Sequence, residues 1–123
     1  MLLMVLIALA YSLDFTKIPR RDLPPLKRQH SSMIYLNTLN ALYVSGGNFG
    51  TTKSYNDIWA YYFDKDTWEK LSPYSSIYPE ARYNAGSFVY DSSRICFFGG
   101  LGENGPLQDT WCFYTSGMKV SYN

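Results

Sequence analysis

The residues able to do chemistry are few, and their spacing argues mostly against catalysis. His30 is the single histidine, which speaks against a histidine-rich metal site or a Ser–His hydrolase. Its expected role is a structural hydrogen bond. Cys96 and Cys112 are too few for a disulfide-dense scaffold and lack metal-ligand spacing. Asp57 and Asp109 each stand two places before a tryptophan, Trp59 and Trp111. Acid–base work would need these carboxylates in a cleft with partners, and no such constellation is visible. They are expected instead to hydrogen-bond the loops between strands. No enzyme, cofactor or metal is expected.

The elements that must position these residues are strands. Hydrophobic residues make up 46% of the 123-residue chain and charged residues only 17%, so global disorder is excluded. Aromatic content is 18%, with twelve Tyr, and large flat side chains suit a pleated surface. A net charge of +1 gives little field to steer nucleic acid or an anionic membrane. Lys17, Arg20, Arg21, Lys27 and Arg28 form a local basic cluster opposed only by Asp22. It reads first as a solvated connector, with a small patch for an acidic partner as the alternative.

An internal repeat organises the rest. Pro25 to His30 matches Pro79 to Asn84, and Leu42 to Gly47 matches Ile95 to Gly100. Asn56 to Tyr61 then matches Gln108 to Phe113, so the offsets run 54, 53 and 52. Within each repeat, short β-rich stretches alternate with turn signals. Ser31 to Leu36 and Ala41 to Ser45 flank Asn37 to Asn40. Phe88 to Tyr90 and Ile95 to Phe98 flank Asp91 to Arg94. A Gly-Gly pair closes strand two, where a positive φ or a close neighbour is expected. A polar, glycine-rich loop follows, then the Asp-x-Trp strand. Asp64 to Asp66 turns into a last strand, Thr67 to Leu71.

This pattern resembles the kelch repeat, whose unit is a four-stranded propeller blade of about 50 residues. The resemblance rests on Gly46, Gly47, Gly99, Gly100, Asp57, Trp59, Asp109, Trp111 and Trp68. It implies an all-β fold, a partial kelch-type β-propeller of two four-stranded antiparallel blades. The tryptophans are then expected in the blade core. Blade one spans 25–73 and blade two 74–123. Val120 stands at the position of Trp68, so the last strand of blade two is expected to be weak or truncated. Cys96 and Cys112 fall on strands two and three of one blade. They are placed either to pair as a disulfide or to remain two buried thiols.

The N-terminal run Met1 to Ala10 is too short to span a bilayer, which takes about 20 residues. With Ala10-Tyr11-Ser12 it reads as a secretory signal (residues 1–12), although no basic residue precedes it. The competing reading is a strand left from a preceding blade. Residues 13–24 form a connector in which Asp14 to Ile18 resembles Thr67 to Leu71, a strand four able to help close a ring.

Two blades leave open faces, so further blades are expected, in cis if the chain is a fragment or by homo-oligomerisation. Function falls to the loops between strands two and three, with Phe49, Lys53, Tyr55, Glu103 and Asn104 as candidates for binding another protein. The expected role is a protein-interaction module of the secretory pathway or cell exterior. The alternatives are part of a galactose-oxidase-like copper enzyme or an intracellular kelch adaptor. The copper enzyme family uses two histidines, and this chain has one.

Overall fold

The computed structural model describes residues 15–18, 23–51, 53–71, 77–115 and 120–122. Two four-stranded antiparallel sheets form its body. The first orders β1 (Ser32–Leu36), β2 (Ala41–Ser45), β5 (Ile58–Tyr62) and β6 (Thr67–Leu71) as neighbours. The second repeats that meander with β7 (Gly86–Asp91), β8 (Arg94–Phe98), β11 (Thr110–Tyr114) and β12 (Val120–Tyr122). The last strand is short but present, pairing against Trp111, Cys112 and Phe113.

The stretches expected as loops between strands two and three are themselves small hairpins. β3 (Asn48–Phe49) pairs with β4 (Lys53–Ser54), and β9 (Leu101–Gly102) pairs with β10 (Gly105–Pro106). Each is tied to the segment leading into its blade through the bridges Gln29–Asn48 and Tyr83–Leu101. The segment Phe15 to Ile18 adopts no strand, and Phe15 is fully exposed. The strand four expected at Asp14 to Ile18 is thus not seen over its described part, Phe15 to Ile18. The apolar run at residues 1–12 lies outside the described residues, and no described helix is long and apolar enough to cross a membrane.

The core lies between the blades. Tyr43, Ala60, Ile58 and Leu71 of blade one pack with Ile95, Phe97 and Phe113 of blade two. Side chains alternate along each strand. The register pairs Tyr43 with Ala60 and Ser45 with Ile58, which sets one whole face of blade one against its neighbour. Positions one repeat apart also meet directly. The Ser32 hydroxyl donates to Ala85 O at 2.7 Å, Asn84 N–H to His30 O at 2.9 Å, and Thr38 Oγ1 to Ser92 O at 2.8 Å. Stacking of one repeat on the next is how such units bury apolar faces they could not bury alone.

At the far end, the turn between β1 and β2 closes through Asn40 at φ 45°, a left-handed position that asparagine tolerates. Its side chain accepts from Tyr35 Oη at 2.8 Å and donates to Asp64 at 2.7 Å, joining the two turns of blade one. In blade two, Asp91 accepts the Ser93 N–H at 2.9 Å, and the pairing slips between Val89 and Asp91. That bulge accommodates the one-residue change of repeat offset.

Candidate binding face

The antiparallel meander brings the lead-in to strand one and the hairpin between strands two and three to the same end of each blade. A buried guanidinium holds that end together. In blade one, Arg28 donates to both oxygens of Asp57 at 2.6 and 2.9 Å and to Gly46 O at 2.9 Å. Blade two repeats the arrangement atom for atom. Arg82 donates to Asp109 at 2.6 and 2.9 Å and to Gly99 O at 3.0 Å. Each aspartate also accepts an indole N–H, from Trp59 at 2.8 Å and from Trp111 at 2.6 Å. Bidentate pairing of this kind fixes orientation as well as charge.

The environment of these carboxylates sets their acidity. Burial pushes Asp57 up, but the bonds from Arg28 and Trp59 outweigh it and hold the group below its ordinary value. At Asp109 the Arg82 bond dominates over burial and holds the carboxyl at about 2. Both aspartates are therefore ionised and committed to their partners.

The double glycines lock the lead-in against the blades. A Cβ on Gly46 would stand 2.5 Å from Arg82 O, and one on Gly47 2.8 Å from Gln29 O. Gly47 N–H donates to Arg82 O at 2.8 Å, and Arg82 N–H to Tyr55 O at 3.1 Å. Arg82 thus holds its own blade by its side chain and the preceding blade by its backbone.

On this frame the five candidates fall into separate places. Lys53 and Glu103 line one groove of about 540 Å³ between the two hairpins, together with Thr51, Ser54, Glu80 and Tyr83. Tyr55 is half-buried and outside that lining, with the Arg28 guanidinium 4.4 Å from its ring centre and the Lys53 ammonium 5.5 Å away. Phe49 is 56% exposed and lines a different depression with Lys27 and Asn48. Asn104 sits at the exposed tip of the second hairpin, outside either. His30 hydrogen-bonds Asn48 at 3.1 Å through Nδ1.

Three assignments from sequence differ from this picture. Arg28 belongs to no solvated connector, since its side chain is only 6% exposed against Asp57. The Asp57 and Asp109 side chains bind arginine and tryptophan, while their backbone carbonyls hold Gly46 and Gly99. Trp111 is buried as expected for the blade core, but Trp59 and Trp68 are only half-buried, on the face of blade one turned away from blade two. Glu80 was missed altogether, although it accepts the Glu103 N–H at 3.1 Å. The match of Pro25 to His30 with Pro79 to Asn84, which sets Arg28 on Arg82, carries the signal for the first of these.

Cys96 and Cys112 face each other across β8 and β11 and are joined as a disulfide. They occupy the positions that Tyr43 and Ala60 hold in blade one. There the paired residues pack on the next blade; here the covalent bond lies on the face turned away from blade one.

Stacked four-stranded meanders, each latched by an Arg–Asp pair behind a double glycine, define a β-propeller architecture. The chain matches the KLHDC2/KLHL20/DRC7 Kelch-repeats domain over residues 6–122 and belongs to the kelch-repeat family. Domains of that family serve as protein-interaction propeller modules. No curated protein matches the chain.

Proposed function

We propose that this chain is a non-enzymatic protein-interaction module whose partner docks on the hairpin end of the blades, through Phe49, Lys53, Tyr55, Glu103 and Asn104. The observation that carries the reading is the pair of hairpins raised on rigid Arg–Asp latches. Recognition residues are favoured on loops held by a rigid scaffold. The test is alanine substitution of Phe49, Lys53 and Asn104, with partner affinity and thermal unfolding measured on each variant. Affinity is expected to fall while unfolding stays where it is; variants that unfold early, or bind unchanged, contradict the assignment.

Further blades are part of the proposal, in cis or from other copies. In blade one, Gly47 N–H and Tyr55 C=O are taken by Arg82 of the next blade. Their counterparts Gly100 N–H and Leu107 C=O have no partner among the described residues. A secretory route is also proposed, with residues 1–12 as the leader. The Cys96–Cys112 bond supports it, since disulfides persist in oxidising compartments. Mass measurement of the product from a secretory host tests this: a chain lacking the leader supports it, and an intact Met1 contradicts it.

A further inference from the structure

Charges at the hairpin end divide into two kinds. Arg28 with Asp57, and Arg82 with Asp109, are neutralised at contact distance. Lys53, Glu80 and Glu103 are not: among the described residues none of them makes an ion pair, although all three line one groove. The cation comes from the hairpin of blade one, and both carboxylates come from blade two. The groove therefore carries opposite charge on its two sides, with about 540 Å³ between.

The acidic side is also fixed in place. Glu80 Oε1 accepts the Glu103 N–H, and its carboxylate fills the space that a Cβ on Gly102 would occupy. Glu80 is thereby held beside Glu103 rather than left to swing in solvent. On the other side, β4 is an edge strand, paired among the described residues with β3 alone. An extended segment can lie along such an edge and use its main chain for affinity and alternate side chains for specificity.

We infer that this groove takes an extended protein segment bearing a basic side chain, seated against Glu80 and Glu103, and an acidic one a few residues away, seated against Lys53. This rests on the interaction reading above and names the chemistry of the partner. Because the charges are exposed, the attraction weakens as salt rises.

Immobilised peptides in a Gly/Ser background test it on the full chain at low salt. They carry Arg and Glu a few residues apart, Arg alone, Glu alone, or neither. The doubly charged peptides are expected to bind about two- to fivefold better than either singly charged set, the gain of one exposed ion pair. Glu80→Gln with Glu103→Gln erases the advantage of Arg, and Lys53→Ala erases that of Glu. Lys53→Glu, which leaves the acidic wall intact, shifts preference to peptides with Arg alone. Equal binding of all four sets, binding of none, or a ranking unmoved by these variants overturns the inference. If a Phe49→Ala variant loses a natural partner while the Glu80/Glu103 variant keeps it, the interaction face stands and this groove is not its reader.

Discussion

The carbonyl oxygen of Arg82 lies 2.5 Å from where a Cβ on Gly46 would stand, so a residue of one blade rules out any side chain on the other. Gly46 also sits at φ 63°, in the left-handed region. Gly50 shares that φ of 63° but has nothing within 4 Å of a Cβ. The two positions separate conformational cost from crowding. Gly50→Ala is expected to cost about 1–2 kcal/mol from the left-handed backbone alone. Gly46→Ala adds about 1–3 kcal/mol of overpacking against Arg82. Urea unfolding of both variants checks this, and equal losses would contradict the close approach.

The aspartates of the two latches should not be equivalent. The Asp57 side chain is 15% exposed and that of Asp109 38%, while each partner arginine is 6% exposed. Removing Asp57 strands a buried guanidinium, a loss of about 3 kcal/mol or more. Asp109→Ala is expected to cost less, because water reaches that pair and screens it. Thermal melts of Asp57→Ala and Asp109→Ala should rank in that order.

Acid should weaken the same latches. Both carboxyls lie below their ordinary value of 3.8 in the folded chain, Asp109 at about 2. A group depressed on folding adds stability that is full above its unfolded value and disappears as pH falls through its folded value. Stability is therefore expected to drop between about pH 4 and pH 2, and less steeply in Asp109→Asn. A melting temperature flat across that window would show that the pairs do not contribute.

The disulfide closes a separation of 16 residues within blade two. A loop of that size restricts the unfolded chain by about 3 kcal/mol. The double variant Cys96→Ser, Cys112→Ser should unfold at correspondingly lower urea, with the native chain as reference. Coincident curves would mean that the bond constrains nothing.

Much of the architecture was legible because the repeat fixes it twice. Gly46-Gly47 and Gly99-Gly100, or Asp57 and Asp109, each point to the same place in a blade. Arg28 was obscured by its neighbours, since Lys27 and the basic residues before it suggest solvation; its match to Arg82, which stands in no such cluster, carried the true signal. The hairpins after the glycines were read as loops because two-residue strands are too short to show alternation. Glu80 was invisible for another reason: its placement depends on Gly102, far along the chain, having no side chain. The strand expected at Asp14 to Ile18 has a pattern like Thr67 to Leu71, but a pattern does not name the sheet edge that a strand must pair with.

The claim that the partner engages the hairpin end is tested most directly by site-specific photocrosslinking. A benzophenone amino acid at position 49 probes that end, and one at position 63 probes the opposite end. Phe49 and Phe63 are comparably exposed, at 56% and 45%, so accessibility alone does not separate them. A crosslinked partner formed from position 49 and absent from position 63 is the predicted result. Equal capture from both positions, or capture from 63 alone, would contradict the account.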